Sequence, residues 1–164
     1  MLIAKDDAED RDMRILVATD GSEFSKHALE ECCRLFGDVK DKEIKIISVY
    51  EDAYALATEP FAVYPGYCQE VIDASRNEAR GFTANAVSLL RKKLDDVEQR
   101  ISAEVLNGIP EQEIVEKAKE WRADVIVVGS HGRGFLGRML GSVSDGVVHH
   151  APCSVLVVHG GAEK

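Results

Sequence analysis

Residues 124–142 read DVIVVGSHGRGFLGRMLGS, an apolar run followed directly by a glycine-rich segment. The run at 124–128 has no polar residue after its first position, which is typical of a strand buried on both faces of a parallel sheet. The glycines stand at 129, 132, 134, 137 and 141. Glycine lets backbone amides approach an oxyanion closely, and a helix that begins just after such a segment favours a phosphate at its N-terminus. The stretch therefore predicts a strand, a phosphate-binding loop and a short helix over 143–150.

The rest of the chain repeats this alternation of strands and helices. Strands are predicted at 13–19, 43–50, 101–106 and 153–158, in addition to 124–128. The first helix follows Ser22 and carries an apolar stripe of Phe24, Ala28, Cys32, Leu35 and Phe36. A long helix is predicted over 69–98 after a loop at 51–68, and a third helix begins at Pro110. Such alternation predicts one α/β domain with a doubly wound, Rossmann-like, five-stranded parallel sheet.

Charge and composition exclude several classes of protein. The chain has 164 residues and a net charge of −9, which argues against a nucleic-acid binder or a protein held on an anionic membrane. It has no apolar run long enough to span a bilayer, and because residues 1–12 contain no long apolar segment we expect no secretory signal. Its four cysteines form no regular spacing. We expect a cytoplasmic domain over 13–159, with an acidic N-terminal tail at 1–12 and a short C-terminal tail at 160–164.

Two segments are expected to meet at the carboxyl end of the sheet, where ligands of doubly wound folds bind. One is the turn from Thr19 to Ser22, in which Ser22 is predicted as the N-cap of the first helix and Asp20 could serve as a further cap. The other is the glycine-rich segment at 129–142, to which Arg133 and Arg138 add positive charge. Together they predict a binding site for a phosphate-bearing ligand.

Familiar catalytic patterns are missing from both segments. Gly132, Gly134 and Gly137 match the dinucleotide fingerprint formally, but they follow the fourth strand, and no acid ends a strand about 20 residues later. The sequence GxxxxGK[ST] does not occur, and His131 has no nucleophile and acid arranged around it in the sequence. We therefore expect no dedicated catalytic residues, and at most slow hydrolysis of a bound nucleotide.

From Met13 to Val158 the chain resembles the universal stress protein family. The resemblance is carried by ILVATDGS near the start, by Gly108-Ile109-Pro110 before a helix, and by GSHGRG and GSVSDGVVHHAPCSVLVV near the end. It implies the strand order 3-2-1-4-5. It also implies the ATP-binding branch of the family, whose motif is G-x2-G-x9-G-[S/T]. That motif corresponds here to Gly129, Gly132, Gly141 and Ser142.

The spacing of this motif departs from the family pattern by one residue. Eight residues separate Gly132 from Gly141, so the family spacing would put the third glycine at position 142, which is Ser142. The glycine cradle is therefore expected to be tighter by one residue, either in the loop or in the first turn of the following helix.

The resemblance also implies roles for individual residues. Asp20 would lie by the adenosine, and Val49 would meet the adenine through its backbone. The residues along the phosphates or the ribose would be Ser130, His131, Ser142, Val143 and Ser144. Thr19 and Arg133 complete the expected set of nucleotide-binding residues. ATP would be the ligand, with Mg or Mn on its phosphates, and a homodimer would form through the last strand at 154–158.

The leading hypothesis is thus a stress-response regulatory protein that binds ATP and acts through its dimer or a protein partner. The alternative is a nucleotide-free dimeric interaction module, because some members of the family lack the glycines. A nucleotidyl transferase is a third hypothesis, which would need more basic or nucleophilic residues near the glycines than Arg133 and Arg138.

Overall fold

The computed structural model of the chain describes residues 11–51, 65–94, 100–132 and 140–160, with the backbone alone at 65–68. Several predictions fall outside these ranges: those for the site residue Arg133, for Arg138 in the same glycine-rich segment, and for most of the two predicted tails.

Five parallel strands form one sheet with helices on both faces. The strands are β1 (Met13–Ala18), β2 (Lys42–Tyr50), β3 (Ile101–Asn107), β4 (Val125–Gly129) and β5 (Ser154–Val158). The helices are α1 (Glu23–Phe36), α2 (Pro65–Lys93), α3 (Pro110–Trp121) and α4 (Ser142–His150). The sheet order is β3-β2-β1-β4-β5, so the predicted fold class and strand order are confirmed.

The two faces of the sheet bury separate apolar cores. Ile15 and Val17 of β1 point to the core shared with α1 and α2, whereas Leu16 points to the core shared with α3 and α4. All three side chains are 0% exposed. Burial on both faces explains why β1 and β4 read as continuous apolar runs rather than as alternating ones.

The reversal of strand order lies between β1 and β4. β1 pairs with β2 on one side and with β4 on the other, all in parallel. The hydrogen bond from the Thr19 N–H to the Ile47 carbonyl, at 2.9 Å, holds the residue after β1 against β2. Connections from β1 and β4 leave toward opposite faces at this point, which opens a crevice beyond the carboxyl ends of the strands.

Two sequence predictions about the helices were wrong in detail. The long helix was predicted over 69–98, but α2 runs over Pro65–Lys93. Proline is well suited to a first helical turn because it has no N–H to leave unpaired, and the basic residues of the last turn favour a helix end at Lys93. In α1, Leu35 is 44% exposed, and Leu29, which the predicted stripe lacked, is buried.

The described part of the chain contains three unpaired cysteines, Cys32, Cys33 and Cys153. Burial raises the pKa of the Cys32 thiol to about 12, and it also raises the pKa of Cys33 and Cys153. These thiols are therefore poor nucleophiles at neutral pH. No helix in the described ranges has both the length and the apolar composition that a bilayer-spanning segment requires.

Candidate functional site

A cavity of about 600 Å³ lies at the carboxyl ends of β1, β2 and β4. Its volume falls within the range of small-molecule and cofactor sites, about 300–1,000 Å³. Ten of the twelve predicted site residues line it: Thr19, Asp20, Val49, Gly129, His131, Gly132, Gly141, Ser142, Val143 and Ser144. Of the other two, Ser130 is fully buried beside the cavity and Arg133 lies outside the described residues.

The turn after β1 is organised by polar side chains that face the start of α1. The Asp20 Oδ1 atom accepts a hydrogen bond from the Ser22 N–H at 3.0 Å. Ser22 is the N-cap of α1, as predicted, and its Oγ accepts from the Ser25 N–H at 3.2 Å. Asp20 therefore supports the turn and does not itself cap α1, and its carboxylate also lines the cavity, so the turn and the ligand roles are compatible.

The peptide groups of Ser130 join β5, β4 and α4. The Ser130 N–H donates to the Val158 carbonyl at 2.8 Å, and the Ser130 carbonyl accepts from the Gly141 N–H at 2.8 Å. The Ser144 Oγ lies 2.9 Å from the same carbonyl. These contacts hold the start of α4 directly against the end of β4, and Ser130, Ser144 and Val158 are almost completely buried.

The start of α4 presents backbone donors to the cavity. Gly141 is the N-cap and has no side chain with which to satisfy the amides of the first turn. The first amides of a helix have no acceptor within the helix, and the helix dipole adds partial positive charge there. Ser142, Val143 and Ser144 supply these amides and also line the cavity. A phosphate is the ligand that such a helix start suits best.

Gly132 and Gly141 lie side by side although their spacing in the sequence is one residue shorter than in the family motif. A Cβ atom built on Gly141 would lie 3.4 Å from the Ser130 carbonyl oxygen and 3.8 Å from the Gly132 nitrogen. Gly132 and Gly141 therefore meet at the cavity despite the eight residues between them. The positions of Gly132 and Gly141, on either side of the residues between them, fit a phosphate-binding site.

His131 is held in a fixed position at the cavity wall. It is 8% exposed, its Nδ1 atom lies 3.0 Å from the Ser130 Oγ, and its ring centroid is 5.1 Å from that of Phe24. Both contacts orient the imidazole along the wall formed by β4 and α1.

Charge and apolarity are unevenly distributed over the cavity. The lining includes a set of apolar residues, here called the apolar strip, contributed by β2, β4 and α3: Ile47, Val49, Val128, Pro110 and Ile114. The charged side chains among the described lining residues are the carboxylates of Asp20 and Glu51 and no lysine or arginine. Anion binding by the described part of the site therefore depends on backbone amides.

Seven lining residues were missed by the sequence analysis: Ala18, Ser25, Ile47, Glu51, Pro110, Ile114 and Val128. Glu51 directly follows β2 and could have been found from the rule that ligands lie beyond the carboxyl ends of strands. Pro110 and Ile114 belong to the first turns of α3, and no charge or glycine pattern marks them as cavity residues.

The described residues contain no cluster of three or more histidine, cysteine, aspartate or glutamate side chains that could hold a metal ion. Magnesium commonly binds through one or two carboxylates together with substrate phosphates. Asp20 and Glu51 are the lining carboxylates, so a divalent ion here fits only as a partner of ligand phosphates.

Comparison with known proteins decides the family. The model of the universal stress protein family matches residues 13–159. The chain belongs to this family. The universal stress protein YxiE of Bacillus subtilis is 34% identical over 148 residues, which cover 88% of this chain and 97% of YxiE.

Solved structures of universal stress proteins share the fold. UspA from Lactobacillus plantarum has a TM-score of 0.75 and 26% identity, covering 91% of this chain and 99% of its own. A family member from Arabidopsis thaliana with AMP bound has a TM-score of 0.66 and 20% identity over 92% of this chain and 94% of its own. Another universal stress protein, in complex with cAMP, has a TM-score of 0.56 and 22% identity over 93% of this chain and 100% of its own. These two proteins thus hold adenine nucleotides on this fold.

Proposed function

We propose that this universal stress protein binds ATP in the cavity at the carboxyl end of its sheet and acts as a regulatory protein in the stress response. The observation that carries the proposal is the start of α4, where three backbone amides and two adjacent glycines face a cavity that also has an apolar strip. Backbone donors suit the phosphates and an apolar strip suits a planar base. The AMP and cAMP complexes of the family support the choice of an adenine ligand.

Each part of the cavity has a role in this proposal. The amides of Ser142, Val143 and Ser144 would hold phosphate oxygens, and the absence of side chains at Gly132 and Gly141 would let those oxygens come close. Val49 and its apolar neighbours would contact the adenine, with Asp20 beside the adenosine. Bound Mg or Mn would neutralise phosphate charge, which matters in a chain whose net charge is −9.

The proposed role of ATP is regulatory rather than that of a substrate. Efficient phosphoryl transfer needs a positioned base or water and cationic groups that stabilise the transition state. Asp20, Glu51 and His131 are the ionisable side chains among the described lining residues, and none of them is a permanent cation. We therefore expect ATP to order the site and to change the dimer or a partner surface, with hydrolysis slow at most.

The affinity for ATP is expected to depend on Gly141. Changing Gly141 to valine leaves the backbone unstrained, since its φ of −68° and ψ of 158° suit any residue, but adds methyl groups beside the Gly132 nitrogen. These groups should keep phosphate oxygens from the amides and weaken ATP binding by more than about tenfold, which corresponds to the loss of about one charge-assisted hydrogen bond. Titration calorimetry with Mg-ATP measures the change.

The matched control is Gly81→Val on α2, where an added Cβ would have no atom within 4 Å. It should bind ATP as the wild-type chain does. The wild-type protein should also release a stoichiometric adenine nucleotide when it is denatured and its supernatant is analysed by chromatography and mass. A protein that carries no nucleotide and ignores added Mg-ATP would sink the proposal and favour the nucleotide-free interaction module.

The proposed homodimer would form along β5, an edge strand whose central residues Val155, Leu156 and Val157 are only half-buried. Unpaired edges of this kind tend to be covered. The Val158 carbonyl points to β4, so Val157, the preceding residue of the strand, directs its N–H and carbonyl to the open edge.

Val157→Pro is therefore expected to remove an edge donor while sparing the hydrogen bonds to β4. Light scattering after gel filtration should report a monomer for this variant and a dimer for the wild-type chain. Ser154→Lys, which keeps the N–H but adds a charge at the exposed first residue of the edge strand, should shift the equilibrium in the same direction. Two variants that remain dimeric and folded by circular dichroism would remove β5 from the proposed interface.

A further inference from the structure

β2 extends beyond its neighbour β1 at the edge of the sheet that carries the cavity. β1 pairs with β2 as far as Ala18, which lies opposite Ile47. β3 pairs with β2 three residues farther, as far as Tyr50, which lies opposite Asn107. The last three residues of β2 therefore have a strand on one side only. Their other side faces the space beyond the end of β1, where the cavity lies.

The backbone of Val49 points to this open side. The carbonyl of the following residue, Tyr50, accepts a hydrogen bond from the Gly108 N–H at 3.0 Å, on the side of β3. Because successive residues of a strand direct their backbone groups to alternate sides, Val49 directs its N–H and its carbonyl toward the cavity. The N–H precedes the carbonyl along the chain, so the donor lies farther from Glu51 and the acceptor lies nearer to it.

An adenine that meets this backbone has one favourable orientation. Its N1 atom accepts a hydrogen bond and its 6-amino group donates, so N1 suits the Val49 N–H and the amino group suits the Val49 carbonyl. The amino group then lies at the end of the base that is nearer to Glu51. It carries two hydrogens, and the carbonyl accepts one of them. The second hydrogen points away from N1 and needs another acceptor.

Glu51 supplies a side chain at this end of the base. Ile47, Val49 and Glu51 are spaced by two residues and all line the cavity, as expected for side chains on one face of an extended strand. Glu51 follows Val49 by about 6.6 Å, at roughly 3.3 Å per residue, and is exposed at the rim. A carboxylate only accepts hydrogen bonds. It therefore complements an amino group of the base and opposes a carbonyl oxygen in the same place.

We propose that Glu51 is a specificity-determining residue that accepts a hydrogen bond from the 6-amino group of adenine and disfavours purines with a carbonyl at that position. The inference rests on the proposed nucleotide function and deepens it, because it assigns the choice of base to one side chain. A purine without the amino group leaves the acceptors unpaired. A purine with a carbonyl also brings two oxygens together that repel each other.

The test uses three triphosphates that differ only in the base, measured by titration calorimetry on the full chain with magnesium. ATP has the 6-amino group, purine riboside 5′-triphosphate has a hydrogen in its place, and inosine 5′-triphosphate has a carbonyl. The wild-type chain should bind ATP about tenfold or more tighter than purine riboside triphosphate, since two hydrogen bonds are lost. Glu51→Ala should reduce this ratio by about three- to tenfold, because exposure weakens a charge-assisted hydrogen bond without abolishing it.

Glu51→Gln separates the hydrogen bond from the repulsion. A glutamine oxygen still accepts from an amino group, and a glutamine amide also donates to a carbonyl. The variant should therefore bind inosine triphosphate more tightly than the wild-type chain does, and its preference for ATP over inosine triphosphate should fall by about threefold or more. Its preference for ATP over purine riboside triphosphate should fall less than in Glu51→Ala. A merely structural role of Glu51 would not produce this difference between the two variants.

Glu116→Gln is the control for the loss of one negative charge. Glu116 is an exposed residue of α3 that pairs with Lys119 and is not among the residues that line the cavity. Its variant should keep the wild-type ratios. The three ligands carry the same phosphates, so a general change in the attraction of the chain for phosphate cancels in every ratio.

Two results would overturn the inference while nucleotide binding stands. One is equal affinity of the wild-type chain for ATP and purine riboside triphosphate, which means that the amino group is not recognised. The other is a set of ratios that Glu51→Ala leaves unchanged, which assigns the recognition to the backbone of β2 alone. A wild-type chain that binds none of the three triphosphates would overturn the proposed function and this inference together.

Discussion

Gly21→Ala is expected to lower the free energy of unfolding by about 3 kcal/mol, because two separate penalties coincide at this position. Gly21 has a φ of +74°, a left-handed conformation that strains residues with a Cβ. A Cβ there would also lie 2.4 Å from the Cδ1 and Cε1 atoms of Phe82 on α2. Urea denaturation followed by circular dichroism measures the loss.

A double-mutant cycle separates the two penalties. In a Phe82→Ala background the ring is gone, so Gly21→Ala should there cost only the left-handed conformation, about 1 kcal/mol. Gly81→Ala, on the open surface of α2, is the matched control and should stabilise the chain by about 0.5–1 kcal/mol. If Gly21→Ala costs the same with and without the Phe82 ring, the close contact between the turn and α2 is disproved.

Gly129→Ala is expected to cost about 2–3 kcal/mol, a typical value for overpacking against atoms that have little room to move. A Cβ on Gly129 would lie 2.8 Å from the carbonyl carbon of Phe24 and 2.9 Å from its Cβ. Two of the three atoms it would meet belong to the backbone of α1, so truncating the Phe24 side chain cannot make room. The helix would have to move away from β4.

The unfolding midpoint in urea measures the loss of stability in Gly129→Ala, and Gly141→Ala is the variant with which it is compared. Both glycines belong to the predicted phosphate motif, but a Cβ on Gly141 meets its nearest atoms at 3.4 Å, so Gly141→Ala should lose much less stability than Gly129→Ala. Equal losses in the two variants would contradict the close packing of α1 on Gly129.

The architecture was predictable because burial acts on whole segments of sequence. The run at 124–128 reads as a strand buried on both sides, and β4 is such a strand. The last residue of a helix and the side of it that is buried depend on its neighbours in the fold, which the spacing of apolar residues in the sequence does not specify. Leu35 fits the helical spacing as well as Leu29 does, yet only Leu29 faces the sheet, because the direction in which α1 crosses β4 and β5 decides which side is covered.

The site was predictable where chemistry leaves a mark in the sequence. Such marks are carried by Asp20, by the residues at the start of α4 and by three of the glycines, and the structure brings these to one cavity: Gly129, Gly132 and Gly141. Pro110 and Ile114 carry none, since an apolar residue that lines a cavity reads like one that fills a core. Gly129 was recognised for its freedom to approach a phosphate, and the closest atoms around it are those of Phe24. The close packing of α1 on Gly129 depends on how two elements far apart in the sequence approach each other. The glycine motif alone therefore does not predict it.

The meeting of Gly132 and Gly141 has a consequence for how such a protein can change in evolution. The hydrogen bond from Gly141 to Ser130 joins two points that the intervening chain leaves and returns to. The entropy of closing such a loop grows only with the logarithm of its length, so nine residues instead of eight would alter the free energy by about 0.1 kcal/mol. By that measure one residue more or less between Gly132 and Gly141 changes the stability of the chain very little, so the length of this connection can vary while the two glycines stay side by side.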